Sequence, residues 1–422
     1  NRLEEYAIDG MVPAAVVQPT SREVIAEVLR WATAEKLAVV PRGGGTQMSL
    51  GNTPSKLDLV LDLSKYNHLI DYQPADLTAT VEAGITLANL QRKLALGGNL
   101  ASLEAPMADQ ATIGGILAAN SNGPLRHSYG PARDWLIGIS VVGPEGRETK
   151  AGGKVVKNVT GYDLNKLYTG SLGTLGVIVE ATFKLAPFPT DSGALVAVFP
   201  SIQTAFESAR NLLAQVYAPQ GVHVVNAVTA DKLELPVSIP NDGAGIIAFS
   251  FGRSRAVQRR LEQSSTLLQE RKCSRVERMD ARSGGDLLRR LTDLGWSAGT
   301  TPQLDLKISA PPSALTKAIK WHQDSDIGSP GIMADAGFGS MRLFWWDEDA
   351  LPASGAIETI ARLRVIARGS GGSVVVEHCL LTAKGQIDVW GIPSVEVELM
   401  RRIKHTFDPM GTLNPGRSMG RL

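Results

Sequence analysis

Apolar and polar positions along the chain fall into two regimes that meet at Pro187-Phe188-Pro189. Before that punctuation, short apolar runs alternate with glycine turns. Residues 14–20 read as a strand. Thr20-Ser21-Arg22-Glu23 reads as a capping box opening a helix to about Lys36, in which Val24, Val28 and Trp31 recur at helical spacing. The run Leu37-Ala38-Val39-Val40 predicts the next strand and completes a β-α-β unit. Leu57-Asp58-Leu59-Val60-Leu61-Asp62-Leu63 alternates apolar and acidic, the pattern of a half-exposed strand with a solvated acidic face. Gln73-Pro74-Ala75-Asp76 reads as a hairpin-like turn between two strands, and a helix over residues 86–96 stops at Gly97-Gly98. Strands follow at 136–142, from 149, and at 177–179.

Beyond Pro189, strands at 194–199, 246–251, 304–309, 331–335, 341–346 and 373–377 are interleaved with helices at 204–216 and 255–271. That alternation predicts an antiparallel sheet covered by helices, so the class is α+β. Residues 395–407 read as an amphipathic helix.

Glycine changes the picture, because the 43 glycines are the one excess in composition and they cluster. Pro41-Arg42-Gly43-Gly44-Gly45-Thr46-Gln47 ends the 37–40 strand. Three consecutive glycines permit positive φ and let N–H groups turn toward one point, forming an anion nest. With Arg42, Thr46 and Gln47 adding donors, a pyrophosphate is the natural occupant; the alternative is a glycine turn between strands. The dinucleotide spacing Gly-x-Gly-x-x-Gly fails at Met48, so this is not a Rossmann loop. A second element is Ala108-Asp109-Gln110-Ala111-Thr112-Ile113-Gly114-Gly115, leading into Ile116-Leu117-Ala118-Ala119-Asn120. Free N–H groups at that helix start would favour phosphate; the alternative is tight helix-on-sheet packing by small residues. A third runs from Lys157-Asn158-Val159-Thr160-Gly161-Tyr162-Asp163-Leu164 into Gly170-Ser171-Leu172-Gly173-Thr174-Leu175-Gly176-Val177-Ile178. There Lys154 and Lys157 lie beside a cofactor or face solvent, and Tyr162 and Asp163 read otherwise as a core tyrosine and a capping aspartate.

In this order the three motifs resemble the FAD-binding domain of the vanillyl-alcohol oxidase/p-cresol methylhydroxylase (PCMH-type) superfamily, over roughly residues 12–190. Asp408-Pro409-Met410-Gly411-Thr412-Leu413-Asn414-Pro415-Gly416-Arg417 is similar to its C-terminal signature. Residues 152–164 look most like the E-type FAD-binding subunits of bacterial glycolate oxidase. The resemblance implies a PCMH-type two-subdomain FAD-binding domain at 1–189, with subdomains of about 1–63 and 64–189. It further implies a ferredoxin-like antiparallel-sheet cap at 190–392, and a segment 393–422 returning to the flavin. It places FAD, without a covalent bond, on Pro41, Arg42, Gly43, Gly44, Gly45, Thr46, Gln47, Pro106, Ala111, Thr112, Gly114, Gly115, Ala118, Asn120, Gly123, Gly173, Gly176, Val177, Ile178 and Asn414. No histidine lies in the nest, where some relatives attach the flavin. The family often carries Ser-Glu-Gly where this chain has Ser171-Leu172-Gly173, so whatever a carboxylate does there is lost.

The activity implied is an FAD-dependent oxidoreductase supporting oxidation of glycolate or a similar 2-hydroxy acid, with a catalytic FAD subunit and an iron–sulfur subunit as partners. The alternative is a self-sufficient FAD-dependent D-lactate or glycolate dehydrogenase; a third reading, a structural subunit with an empty site, is disfavoured by the retained nest. A 2-hydroxy-acid dehydrogenase needs a base near neutral pKa and arginines for the carboxylate. His68, His127, His223, His322, His378 and His405 are scattered, and none matches the His-x-His element of catalytic relatives, so no metal is expected. His378 and Arg342 are the remaining catalytic candidates, with Arg342 stacked on Trp346 as the competing role.

A formal net charge of +1 gives no electrostatic footprint for nucleic acid. Only Cys273 and Cys379 are present, which excludes a cluster held by four thiolates of this chain and fits a reducing compartment. No run of about 18 apolar residues is present, and the chain begins at Asn1 without a basic-then-apolar signal. The expectation is a cytoplasmic protein, peripheral at the inner membrane through its partners.

Overall fold

The computed structural model describes residues 3–154, 162–318, 327–347 and 352–422. Two compact units emerge: Asn1–Asn122, Pro131–Phe188 and Asp388–Leu422 form the first, and Gly123–Gly130 with Pro189–Ile387 the second. Gly123–Gly130, expected with the first domain, packs instead in the second: Leu125 enters its core, and His223 Nε2 donates to the Pro124 carbonyl at 2.8 Å.

The first unit begins with β1 (Ala15–Val17), β2 (Val39–Arg42) and β3 (Leu59–Asp62), a parallel sheet in the order β1-β3-β2. The helix Arg22–Ala34 joins β1 to β2. Its N-cap is Ser21, which accepts from the Val24 N–H, so the start lies one residue later than the capping-box reading. The buried stripe is Ile25, Leu29 and Ala32, while Val24 and Trp31 are exposed, Trp31 by 53%. Both triplets have i, i+4, i+7 spacing; only the sheet beneath selects the phase. Burying Ile25 and Leu29 stabilises the unit by roughly 1.5–3 kcal/mol each.

β3 also corrects an expectation. All four of its residues are buried, as in a strand covered on both faces, and Asp62 is 2% exposed rather than on a solvated face. Its carboxylate accepts from Gln18 Nε2 at 2.9 Å, Tyr6 Oη at 3.1 Å and the Ser64 N–H at 2.9 Å.

Next come β4 (Leu69–Gln73) and β5 (Thr78–Glu82), then β6 (Asn99–Leu100), β7 (Leu136–Val142), β8 (Glu148–Gly152), β9 (Val177–Lys184) and β10 (Ala186–Pro187). β4-β5-β9-β7-β8 is a five-stranded antiparallel sheet, and β6 pairs with β10. Against it pack the helix Leu87–Ala95, capped by Thr86, and the helix Ile113–Ala119, capped by Thr112. Tyr162 is 95% exposed and not a core residue; Asp163 makes no side-chain cap and pairs with Lys166 at 3.0 Å. Lys154 pairs with Asp71 at 2.7 Å, and residues 155–161 of the third motif lie outside the described residues.

The C-terminal segment is sewn to β2. Val39 N–H donates to Thr412 O and Asn414 N–H to Val39 O, both at 2.8 Å. The preceding helix, Ser394–Phe407, ends in a clamp: Lys404 Nζ donates to Asp408 Oδ2 at 2.5 Å and to Thr174 O and Leu413 O at 2.8 Å. Asp408 in turn accepts from the N–H groups of Thr412 and Leu413. Burial holds Lys404 below the usual lysine range against the pull of Asp408.

The second unit is one antiparallel sheet of eight strands. They are β11 (Asp191–Phe199), β12 (Gly221–Asn226), β13 (Ala244–Gly252), β14 (Arg275–Met279), β15 (Leu304–Ser309), β16 (Gly331–Asp335), β17 (Ser340–Trp345) and β18 (Ser373–Cys379). The order is β14-β11-β13-β12-β16-β17-β15-β18, covered by the helices Ile202–Leu213, Ser254–Glu270, Ala281–Asp293 and Ala353–Gly369. The mixed class and the helix-covered antiparallel sheet agree with the reading from the chain. β14, Arg-Val-Glu-Arg-Met, escaped it because an edge strand made largely of charges shows no clean alternation. No helix among the described residues is long and apolar enough to cross a membrane.

Replacing Asp408 with Asn should lower the stability of the first unit by about 3 kcal/mol at neutral pH, because a buried ammonium loses its counter-ion. The deficit should shrink toward alkaline pH, where Lys404 sheds its proton. Thermal melts of D408N against pH, set beside K404M, check both points.

Candidate cofactor site

β2 delivers the glycine loop. Among the described residues, the backbone N–H groups of Gly43, Gly44, Gly45, Thr46 and Gln47 have no acceptor. The three glycines are needed for two different reasons. A Cβ at Gly43 would fall on Thr112 Oγ1, and one at Gly44 on the Gln110 carbonyl, so both are fixed by close approach to the 110–112 turn. Only Gly45 uses the left-handed region, at φ +75°. Arg42 contributes less charge to the loop than its position suggests: its guanidinium lies 3.7 Å from Asp62 and stacks over the Tyr6 ring at 4.6 Å.

The second motif departs from the expectation of a free helix N-terminus. The N–H groups of Ile113 and Gly114 donate to Ile85 O and Ala83 O at 2.9 and 2.8 Å, and that of Gly115 to Thr112 Oγ1 at 3.3 Å. These donors are spent on holding the helix to the sheet, so this end packs against the loop and leaves the free N–H array to residues 43–47.

Two adjoining cavities open beside the loop, with about 400 and 580 Å³ of empty space that includes their open mouths. One is lined by Pro41, Arg42, Gly43, Leu63, Ala83, Thr112, Gly114, Gly115, Ala118, Leu172, Gly173, Val177 and Ile178. The other adds Gly44, Gly45, Thr46, Gln47, Met48, Ile116, Ala119, Asn414 and Arg417. Five residues expected here line neither. Pro106 and Ala111 are buried, the Ala111 carbonyl accepting from Leu87 N–H. Asn120 is the left-handed C-cap of its helix, Gly176 gives room to Val141, and Gly123 belongs to the second unit. Sequence reasoning missed Met48, Leu63, Ala83, Ile116, Ala119, Leu172 and Arg417 as lining residues. Four of them had a signal: Ile116, Ala119 and Leu172 lie inside the second and third motifs, and Arg417 is the last residue of the C-terminal motif. Leu172, where the family often has a carboxylate, lines both cavities in a left-handed conformation at φ +53°.

Two residues that line the second cavity carry buried polar atoms without partners. Arg417 is 2% exposed; its Nη2 donates to Met48 O at 2.8 Å and to Leu50 O, but among the described residues Nε and Nη1 have no hydrogen-bond partner. Burial pulls this guanidinium down to about 10, only partly opposed by Asp9. Asn414, 4% exposed, donates through Nδ2 to Leu172 O while its Oδ1 is left without a donor. Buried polar atoms without partners are costly, so the C-terminal segment carries a local cost beside this cavity. Free N–H groups, a fixed cation and apolar walls together fit a dinucleotide with a flat ring at each end.

The catalytic candidates lie in the second unit. Arg342 on β17 is gripped by its own sheet: Nε donates to Asp305 Oδ1 at 3.3 Å, Nη1 to Leu294 O at 3.0 Å, and Nη2 to Asp305 Oδ2, with Glu377 at 3.3 Å. It stacks over Phe344 at 4.7 Å and Trp296 at 5.9 Å, not over Trp346, which lies instead on Phe344. Burial pushes the Asp305 carboxyl up to about 6 against Arg342; for Glu377, burial is outweighed by Lys307 and Arg342, and its carboxyl sits below the usual range. His378, half-buried on β18, is the register partner of Asp305, next to Glu377 at a β-bulge. His322 lies outside the described residues.

The fold and cavities define a dinucleotide site. The FAD binding domain family matches residues 13–152, and the C-terminal domain of FAD linked oxidases matches residues 344–418. Glycolate oxidase subunit GlcD of Bacillus subtilis (strain 168) is 26% identical over 96% of this chain and 89% of its own length. D-2-hydroxyglutarate dehydrogenase of Xanthomonas citri pv. viticola is 29% identical over the same shares. The solved structure of p-cresol methylhydroxylase with substrate bound superposes with a TM-score of 0.76, covering 99% of this chain and 92% of that one at 17% identity. The chain carries an FAD binding domain and the C-terminal domain of FAD linked oxidases, on a fold shared with p-cresol methylhydroxylase. It is an FAD-dependent oxidoreductase of the glycolate oxidase and D-2-hydroxyacid dehydrogenase type.

Gly43→Ala or Gly44→Ala should lower FAD affinity about 100-fold, close to 2.7 kcal/mol, by forcing the loop off the 110–112 turn. Gly45→Ala should instead lower stability by about 1–2 kcal/mol through its φ, with a smaller effect on affinity. Flavin-fluorescence titrations and melts of the three variants separate the two effects. Arg342→Met, which leaves Asp305 and Glu377 buried without their shared cation, should destabilise the second unit by roughly 3–5 kcal/mol at pH 8. Arg342 is what holds the Asp305 carboxyl down to about 6, so in the variant that carboxyl takes its proton at higher pH, and the penalty should shrink as pH falls toward 6 and level off below it, read as the unfolding midpoint at pH 5 and 8.

Proposed function

We propose that the chain is the FAD-binding subunit of a complex that oxidises glycolate or a similar small 2-hydroxy acid, working beside a catalytic FAD subunit and an iron–sulfur subunit. Arg342 carries this reading. Its guanidinium fork is taken up by Asp305, Glu377 and the Leu294 carbonyl, so holding a substrate carboxylate would mean breaking an internal, buried ion cluster.

Bound FAD supplies two-electron acceptor chemistry. This chain's part is to hold it. The N–H groups of residues 43–47 receive the pyrophosphate, and Leu63, Ala83, Val177 and Ile178 give one ring an apolar wall. None of the lining residues is His, Cys or Tyr, which supports attachment without a covalent bond.

A second reading is a self-sufficient FAD-dependent dehydrogenase of D-lactate, glycolate or a related D-2-hydroxy acid. The observation favouring it is identity of 26–29% over 96% of the chain with proteins named for glycolate and D-2-hydroxyglutarate.

The purified chain should be yellow, and acid precipitation should release all its flavin. Under anaerobic conditions glycolate, D-lactate and D-2-hydroxyglutarate should leave it oxidised until partner subunits are added. Bleaching by a hydroxy acid alone would establish the second reading, and colourless protein that refuses FAD would overturn both.

A further inference from the structure

The nest at residues 43–47 is bare backbone, so its shape depends on where the two ends of its loop are held. Both ends stand on one segment, residues 412–418. At the near end, Val39 of β2 pairs through its N–H with Thr412 O and through its carbonyl with Asn414 N–H, both at 2.8 Å. At the far end, Arg417 Nη2 donates to the carbonyls of Met48 and Leu50, and Leu50 N–H donates back to Gln47 O at 3.1 Å. Gly51, at φ +94°, lets the chain pass so close to the segment that a Cβ there would lie 2.9 Å from Arg417 O.

The far end closes on Asn52. Its backbone N–H donates to Arg417 O at 3.0 Å. The side chain is 0% exposed and makes three bonds, each at 2.9 Å: Oδ1 accepts from Val389 N–H, and Nδ2 donates to Ser418 O and to Asp388 Oδ1. Asp388 Oδ2 in turn accepts from Gly420 N–H at 3.2 Å. Only a carboxamide offers an acceptor and two donors on so short a stem. One buried side chain thereby joins three stretches: the loop, the C-terminal segment and residues 388–390, the last beginning 336 positions further along the chain.

Resting on the reading that this loop receives the pyrophosphate of FAD, we propose that Asn52 is the positioning residue of the nest. It lines neither cavity and acts through the backbone it holds. Gly43 and Gly44 are already fixed by the 110–112 turn, whereas Thr46 and Gln47 take their direction from the far end. Undoing Asn52 frees that end and the donors of Thr46 and Gln47 with it. The apolar walls at Leu63, Ala83, Val177 and Ile178 stay as they are, so the loss falls on phosphate binding and spares the rings.

The test is calorimetric titration of apo wild type, N52A, N52D, D388N and N52D/D388N with FAD, ADP and riboflavin, each well below its melting temperature. N52A should bind FAD and ADP at least about tenfold more weakly, the worth of one hydrogen bond to a charged group, with riboflavin affinity unchanged. N52D, which sets two carboxylates face to face, should weaken ADP at least as much. N52D/D388N, which restores one amide against one carboxylate, should recover part of that loss. If FAD and ADP bind N52A and N52D as tightly as wild type, and only the melting temperature drops, Asn52 is a structural contact and the proposal is overturned while the FAD site stands. Equal losses for ADP and riboflavin overturn it too, because the whole cavity and not the nest would have moved. Wild type that binds neither FAD nor ADP removes the FAD reading itself. If N52A does not fold, D388N decides: weaker ADP binding with unchanged riboflavin supports the assignment, and unchanged ADP binding sinks it.

Discussion

The first unit depends on how closely two stretches of backbone approach each other. Gly43 and Gly44 pass so near the 110–112 turn that no side chain fits between them, and five N–H groups of this loop are left without an acceptor among the described residues. Unsatisfied donors in a half-buried turn are ordinarily a cost. Here the surroundings hold them in place: Thr112 caps the helix behind the loop, Gly114 and Ile113 tie that helix to the sheet, and the C-terminal strand at Val39 braces β2 from the other side. The cavity is a product of rigid packing around backbone that lacks partners of its own.

Charge is distributed with the same economy. Two arginines near the loop take opposite roles. Arg42, adjacent to the glycines, is neutralised by Asp62 and covered by Tyr6. Arg417, far along the chain from that loop, has Nε and Nη1 without hydrogen-bond partners among the described residues, and Asp9 only partly offsets its burial. In the second unit Arg342 resembles Arg42, since two carboxylates and a carbonyl satisfy it and it organises the sheet around Asp305 and Glu377. A buried cation with its counter-ions is structure; one without them is a place for an anion.

Much of this was legible in the chain. The glycine loop, the small residues at 114, 115 and 118, and the Asn414 motif could be placed because only glycine or a very small residue tolerates such approach, and that constraint is written locally. The antiparallel sheet beyond Pro189 was legible from alternating strands and helices. Phase was not: Val24-Val28-Trp31 and Ile25-Leu29-Ala32 share one period, and burial of the second set follows from which side of the helix the sheet occupies. Nor was the burial of Asp62, since an acidic residue in an alternating run looks solvated until its strand proves to be the middle of a sheet covered on both faces.

Sequence by itself determined the existence of a nest, the α+β class and the resemblance to a flavin superfamily, because these rest on residue types at short spacings. Tertiary structure alone decided which donors remain free. The helix at Ile113 reads as an anion site until its N–H groups are seen spent on Ala83 and Ile85, and Arg417 reads as a tail residue until its burial is seen. The physical reason is that a hydrogen-bonding group is defined by its partner, and in both cases the partner, or its absence, is set by chain brought in from far away in sequence.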